Sequence, residues 1–387
     1  MTSKLLTNAV AAAGLSLVAA GLAASGYWNQ PVTAQTSARP GGDAQRGGEP
    51  SGQRGGGDAA GQRGDGQRGA GGGQRGRGGP PPMTPGPSAA RFPKNAEEFD
   101  QMFNQVKNWG RWGKDDQLGT ANLITDAKRK QAFSLVKTRE TVSLAHNPMT
   151  EAAPDNGSPF EHTMNRGFTT DTYKVSYHGY AHSHIDALCH ILYKGQTYNG
   201  HATADINTDK GCTELSIDKL KNGIVTRGIL FDIPRLKNLP YLEPGTPVFT
   251  EDLEAWEKKA GVKVSPGDAI FLRTGRWARR AKLGPWNVGQ NEAGYHASVA
   301  PWLKERGVSF LGSDDAQDVT PSLVEGVGLP VHTLAITALG LDIIDNQDLE
   351  AVAETAAKLN RWEFLLIVAP VPVTGGTGFP VNALAIF

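Results

Sequence analysis

A break in composition near residue 92 constrains this 387-residue chain more than any other feature. From residue 27 to residue 92 the sequence consists mainly of Gly, Arg, Gln and Pro, with repeated Gly-Gln-Arg-Gly units. Such a stretch has almost nothing to bury, so ordering it would cost backbone entropy without an apolar return. We therefore predict a disordered linker over 27–92 and a folded domain over 93–387.

The first 26 residues have the pattern of a targeting segment. Lys4 precedes an apolar run over 5–24 that is rich in Ala, Leu, Val and Gly and ends in small residues. A basic start, an apolar centre and a small-residue end are typical of a secretory signal peptide. The run also approaches the length of a membrane span, so an uncleaved anchor is the alternative. We expect an exported protein, periplasmic or extracellular, or one anchored to the membrane through its N-terminus.

Charge gives no indication of a nucleic-acid partner. The chain has 39 basic and 39 acidic residues, so it has no strong overall field. Arginine-glycine segments can bind single-stranded nucleic acid, but they usually interleave aromatic residues. This segment has no aromatic residue between Trp28 and Phe92. We expect a small-molecule partner and no nucleic acid.

Two cysteines, Cys189 and Cys212, are present in the whole chain. Export would permit a disulfide between them. The sequence does not show that the two approach each other, so free buried thiols are an equally good interpretation.

The region after residue 92 mixes helical and β-rich patterns. Phe99, Met102, Phe103 and Val106 follow the three- and four-residue spacing of an amphipathic helix. Helices are predicted at 96–109, 126–136, 250–260, 297–306, 333–339 and 348–358. Strands are predicted at 141–145, 173–177, 224–232, 269–273, 309–312 and 364–370. This mixture predicts an α/β or mixed α+β fold in a single domain.

Four of the nine histidines lie between His178 and His190. In an extended strand the side chains alternate between faces, so every second residue of this run would point the same way. The residues that would share a face are Tyr180, His182, His184 and Asp186. Two imidazoles and a carboxylate on one face favour a site for a first-row divalent metal.

Other candidates lie outside this strand. His190 follows Asp186 by four residues and is either a further ligand or a general base. His332 opens a predicted helix, and Asp345 follows an apolar run that would bring it to a strand end. The acidic residues of the segment 314–318 would either cap a turn or orient ligating imidazoles by hydrogen bonding.

These residues resemble the signature of the cyclase-like metal-dependent hydrolases, a family that includes kynurenine formamidases and isatin hydrolases. The signature, His-x-Gly-Thr-His-x-Asp-x-Pro-x-His, falls on residues 180–190, where His184, Asp186 and His190 match it. Tyr180 replaces the first histidine, and His182 replaces the glycine. We infer that His182 supplies the missing imidazole, with Tyr180 or His178 as alternatives.

The resemblance extends over roughly 96–387 and has several implications. It implies a swivelling β/β/α architecture, a homo-oligomer, and an Asp186 carboxylate that bridges two metal ions. His332 and Asp345 would serve the second ion, although the family usually has glutamate at the position of Asp345.

Together these features predict a hydrolase that uses a divalent metal, zinc or manganese, to activate water. The bond cleaved would be an amide, cyclic amide or lactone of a small molecule, with His190 as general base and acid. The folded region contains neither a Gly-x-Ser-x-Gly elbow nor a phosphate loop, which disfavours serine-hydrolase and nucleotide chemistry. The alternative is an exported, non-catalytic protein of the same fold that binds a metal or small molecule, having lost activity through the change to Tyr180.

Overall fold

The computed structural model describes residues 91–387. The predicted signal peptide or anchor and the predicted linker therefore lie outside the described residues. Within the described range, no helix is both long enough and apolar enough to cross a membrane.

A mixed sheet of nine strands forms the centre of the structure, in the order β1-β15-β13-β7-β9-β11-β12-β4-β14. Its members are β1 (Thr141–Ser143), β4 (His184–Asp186), β7 (Ile224–Asp232), β9 (Ala269–Arg273), β11 (Phe310–Ser313), β12 (Asp342–Asp345), β13 (Glu363–Val368), β14 (Gly378–Pro380) and β15 (Leu384–Ile386). The strands β7, β9, β11 and β12 run parallel, and antiparallel strands extend the sheet on both sides. The central strands are buried throughout, which explains their nearly continuous apolar sequences.

Within residues 91–387, three two-stranded sheets lie outside the central one. Their strands are β2 (Glu161–Met164) with β3 (Asp171–Lys174), β5 (Asn207–Thr208) with β6 (Gly211–Cys212), and β8 (Pro247–Val248) with β10 (Gly294–Tyr295). The β2–β3 hairpin is exposed along both strands.

Helices pack around the central sheet and confirm the predicted mixed fold. The α-helices are α1 (Ala96–Val106), α2 (Asp126–Phe133), α3 (Thr203–Ile206), α4 (Ile233–Leu236), α5 (Thr250–Ala260), α6 (Arg276–Leu283), α7 (Ala300–Arg306), α8 (Pro330–His332) and α9 (Glu350–Leu359). A π-helix, Thr333–Leu339, continues directly from α8. Short 3₁₀ turns occupy Gly119–Leu123, Tyr198–Gly200, Ile217–Leu220, Val288–Gln290 and Ala297–Val299.

Local chemistry explains where α1 begins and which face it buries. The Asn95 side chain accepts a hydrogen bond from the backbone N–H of Glu98, a typical N-cap. The apolar residues at helical spacing are the buried ones, Phe99, Met102, Phe103 and Val106. The helix ends at Val106, three residues before the predicted end.

Several other predicted boundaries differ from the structure. The β-rich stretch predicted at 173–177 is β3, Asp171–Lys174, which pairs with β2 in a hairpin. The helix predicted at 297–306 is a 3₁₀ turn followed by α7. The largest difference concerns the histidine run, because β4 begins only at His184.

The two cysteines form a disulfide that links Cys189 to Cys212, with their Cα atoms 6.5 Å apart. The sequence had left this pairing open. The bridge closes the segment 189–212, and Cys189 directly precedes His190.

Candidate metal centre

Strand β4 lies between β12 and β14 and brings the candidate residues together. His184 and Asp186 point to the same side, while Ile185 between them is fully buried on the other. In the antiparallel pairing with β12, Asp345 lies directly opposite His184. Directly paired residues share a face, so His184, Asp186 and Asp345 meet at one point of the sheet.

A first group consists of His178, Asp186 and His190, whose potential ligand atoms all lie within 4.8 Å of one another. His178 Nδ1 lies 2.9 Å from Asp186 Oδ1, and His190 Nε2 lies 3.8 Å from Asp186 Oδ2. The His178 and His190 rings stack with centroids 3.8 Å apart. Thr377 Oγ1 contacts His178 Nε2 at 2.9 Å and so holds the ring with Nδ1 toward Asp186.

A second group of potential ligands, within the same 4.8 Å limit, consists of His184, Asp186 and Asp345. His184 Nδ1 contacts the carbonyl oxygen of His182 at 2.8 Å, so Nδ1 carries the proton in the neutral ring. The free lone pair is then on Nε2, which lies 3.3 Å from Asp186 Oδ1 and 4.0 Å from Asp345 Oδ2. Asp186 is common to both groups.

His332, at the junction of α8 and the π-helix, borders the second group. Its Nε2 lies 3.3 Å from Asp345 Oδ2, and its Nδ1 lies 2.6 Å from Asp318 Oδ2. The Asp318 carboxylate also accepts hydrogen bonds from the backbone N–H groups of Val331 and His332. An imidazole oriented by a carboxylate through its far nitrogen is the usual arrangement behind a metal ligand.

Opposing effects set the charge state of the buried groups. Burial alone would raise the pKa of Asp186, but the adjacent His184, His178 and His190 hold it well below the usual range. Burial would likewise lower the pKa values of His184 and His332. For His184, the carboxylates of Asp186 and Asp345 outweigh burial and raise the pKa. For His332, those of Asp318 and Asp345 do the same. The Asp186 carboxylate is therefore negatively charged among the imidazoles that surround it.

His190 differs from the other imidazoles. Its side chain is 26% exposed, compared with 2% for His184, so it is accessible from outside the cluster. Burial lowers the pKa of His190 to about 4, because the attraction of Asp186 is opposed by His178, His332 and His184. The ring is neutral near pH 7.

Two residues of the predicted shared face lie elsewhere. His182 is buried with its Nε2 3.0 Å from the carbonyl oxygen of Ser158, and it belongs to neither group of potential ligands. The Tyr180 ring packs against Gly289, where an added Cβ would lie only 2.7 Å from it. Burial, together with nearby Glu292 and other carboxylates, raises the pKa of the Tyr180 hydroxyl to about 12. Because the backbone becomes a strand only at His184, the alternation does not extend back to 180 and 182.

The acidic segment 314–318 combines the two roles expected for it. The Asp314 carboxylate accepts hydrogen bonds from the backbone N–H groups of Thr274, Gly275 and Arg276 at the start of α6. Asp318 orients His332 through its contact with Nδ1.

Four further residues support the centre without having shown a signal in the sequence: Arg276, Gln317, Asn346 and Thr377. Gln317 Nε2, for example, donates to Asp345 Oδ1 at 2.8 Å.

Comparison with known proteins agrees with the predicted family resemblance. A family model described as putative cyclase matches residues 138–319, which include the histidine run. A solved structure described as a novel cyclase is 29% identical, with a TM-score of 0.66, and the match covers 74% of this chain and 99% of that one. The resemblance to the cyclase-like family is confirmed, and the chain has the cyclase-like fold.

More distant matches include two structures described as isatin hydrolases. One, isatin hydrolase A from Ralstonia solanacearum, is 17% identical with a TM-score of 0.44, covering 64% of this chain and 91% of that one. The other, bound to the product analogue thioisatinate, is 18% identical with a TM-score of 0.45, covering 67% and 95%. No curated protein matches the chain.

Proposed function

We propose that the protein is a metal-dependent hydrolase that cleaves an amide, cyclic amide or lactone of a small molecule. The observation that supports this most is the sharing of Asp186 between two groups of potential imidazole and carboxylate ligands. Imidazole and carboxylate donors suit zinc and manganese alike, so the proposed cofactor is a divalent ion of this type.

The residues fit such an ion. His178 Nδ1 and Asp186 Oδ1 are buried and only 2.9 Å apart, yet neither has a hydrogen-bond partner of acceptable geometry among the described residues. Two potential ligand atoms that converge without a well-aligned hydrogen bond match the requirement of a cation. We assign Asp186 as the shared ligand, with His178 in the first group and His184 and Asp345 in the second. His332 would serve the position beside Asp345.

A divalent cation held there would lower the pKa of a bound water and polarise a substrate carbonyl. The role proposed for His190 is proton transfer at Nε2, because this ring borders the ligand cluster and is partly exposed. It would accept a proton as water attacks and return it to the leaving nitrogen or oxygen. Asp318 would keep His332 in one tautomer through Nδ1.

The first test is metal content and turnover in the full chain. The protein would be purified without added metal, analysed for bound metals, and assayed with zinc or manganese against aryl formamides, cyclic imides and aryl lactones. We expect bound metal and hydrolysis of at least one class. Metal binding without turnover would favour the non-catalytic alternative, and an absence of metal binding would overturn the proposal.

A second test compares two histidines of the same run. His178→Ala should lose metal, because Nδ1 of His178 faces Asp186, whereas His182→Ala should retain it, because His182 contacts a carbonyl oxygen. Full occupancy in His178→Ala together with loss in His182→Ala would restore the ligand set inferred from the signature alone.

Export and self-association are further proposals. The apolar N-terminal run and the disulfide between Cys189 and Cys212 support an oxidising compartment outside the cytoplasm. The family resemblance supports a homo-oligomer. Fractionation of cells expressing the full chain tests the first proposal, and light scattering of the purified protein tests the second.

A further inference from the structure

The residue after Asp345 connects the two strands of the candidate centre. Asn346 is buried and adopts a left-handed backbone conformation with φ of 55°, which asparagine tolerates better than most residues. Its backbone N–H donates to the carbonyl of Asp315, and its own carbonyl accepts from Ser183 Oγ at 2.8 Å. The chain therefore turns sharply just after the Asp345 carboxylate.

The Asn346 side chain crosses to the segment between His178 and His184. Its Nδ2 donates to the carbonyl oxygen of Gly179 at 2.7 Å and lies 3.4 Å from that of His182. Oδ1 faces Arg276 Nη1 at 2.7 Å. A guanidinium has only donors, so the contact with Arg276 fixes which end of the amide faces the carbonyls.

Arg276 completes this connection from the start of α6. Its side chain is fully buried, and its Nη2 donates to the carbonyl oxygen of Tyr180. Asp155 Oδ2 lies 3.8 Å from Nη2, and Asp315 Oδ1 lies 3.6 Å from Nε, so carboxylates compensate the guanidinium charge. Its position is therefore held from several sides.

Together the two side chains bind the carbonyls of Gly179, Tyr180 and His182, all of which lie between His178 and His184. This segment has no regular secondary structure of its own to define its course. We infer that Asn346 and Arg276 are positioning residues that set the distance of His178 and His184 from Asp186 and Asp345. This inference rests on the proposed metal site. It identifies the side chains that keep the metal ligands at the right distance from one another.

The test measures Co²⁺ affinity and the visible absorption spectrum of bound Co²⁺ in metal-stripped protein, without reference to activity. Asn346→Asp keeps the shape but removes the Nδ2 donors, so it should weaken Co²⁺ binding by about 10- to 100-fold and change the spectrum. Asn346→Gly keeps the left-handed backbone without the amide and should show the same loss. Arg276→Lys, which retains charge but not the forked geometry, should weaken binding less.

Asn108→Asp is the matched control. Asn108 is a buried asparagine whose Nδ2 also donates to a backbone carbonyl, that of Leu339 at 3.0 Å, at the end of the π-helix remote from His332. It should lower the melting temperature as Asn346→Asp does, yet leave Co²⁺ affinity and spectrum unchanged.

The outcomes separate the two proposals. If the wild type binds Co²⁺ and a folded Asn346→Gly or Asn346→Asp variant binds it equally well, the positioning role is overturned and the metal site stands. If Asn108→Asp weakens binding as much, the effect is general destabilisation and the inference also fails. If the wild type binds no Co²⁺, the proposed metal site is overturned, and the inference with it.

Discussion

Two buried aspartates, Asp268 just before β9 and Asp186 in β4, have opposite surroundings. Asp268 is paired with permanent cations, with Lys128 Nζ at 2.6 Å and Arg227 Nη2 at 3.1 Å. The ionisable partners of Asp186 among the described residues are three imidazoles, those of His178, His184 and His190. The first carboxylate is fully neutralised by its neighbours, whereas the second is surrounded by groups that release a proton to bind a metal.

This comparison separates a structural from a functional use of buried charge. A lysine or arginine stabilises a buried carboxylate at every physiological pH, but it competes with any other cation. Imidazoles donate lone pairs to a metal once deprotonated, so the same carboxylate remains available as a ligand. Asp268 is expected to matter for folding and Asp186 for binding.

The largest expected effect is on the binding side of this comparison. Asp186→Asn should remove most bound metal and reduce hydrolysis by on the order of 10³-fold, because the ion no longer has its shared carboxylate. Metal analysis and initial rates on the substrate identified by the panel provide the measurement. Retention of both metal and activity would show that Asp186 is a structural residue like Asp268.

On the folding side, Asp268→Asn should lower the free energy of unfolding by about 3–5 kcal/mol, because Lys128 and Arg227 lose their buried counter-charge. Guanidinium denaturation of the metal-stripped protein measures this effect. Metal stoichiometry of the folded fraction should stay at the wild-type value. A change in stoichiometry without loss of stability would reverse the roles assigned to the two aspartates.

The disulfide next to His190 should have an intermediate effect on stability. Cys189 and Cys212 are 23 residues apart, and closing a loop of this size stabilises a protein by about 3 kcal/mol. Reduction should lower the melting temperature of the wild type, and the Cys189→Ser/Cys212→Ser double variant should resemble the reduced protein. If reductant changes the wild type and the double variant equally, the bridge is not the cause.

The smallest expected effect is a pH dependence at His296, away from both aspartates. Burial, helped by the charge of Arg91, lowers the pKa of His296 from 6.5 to about 4. The unfolded chain therefore binds a proton before the folded chain does, and stability falls as the pH drops from 6.5 toward 4. The loss should be on the order of 2–3 kcal/mol.

Denaturation curves of metal-stripped protein across this pH range measure the His296 effect. The variant His296→Gln cannot titrate, so its stability should depend less on pH than that of the wild type. Identical pH profiles for the two proteins would exclude His296 as the source.

Much of the candidate centre follows from local patterns. Residues 184–186 alternate as a strand must, so the sequence places His184 and Asp186 on one face, and the apolar run before Asp345 indicates a strand end. On the N-terminal side of His184 the strand alternation fails. There, hydrogen bonds from Asn346 and Arg276 to the carbonyls of 179–182 hold the backbone of this segment out of the sheet. These partners are at least 96 residues away in the chain, and no local pattern encodes them.

The sequence by itself determined the mixed fold class, the family resemblance, and a concentration of imidazoles and carboxylates within 178–190. Short-range periodicity and residue chemistry are sufficient for those conclusions. The tertiary structure alone decided that His178 faces Asp186 while His182 faces Ser158, that His332 is oriented by Asp318, and that Cys189 is bonded to Cys212. Each of these depends on long-range contacts, which strand pairing and packing establish only when the whole sheet is assembled.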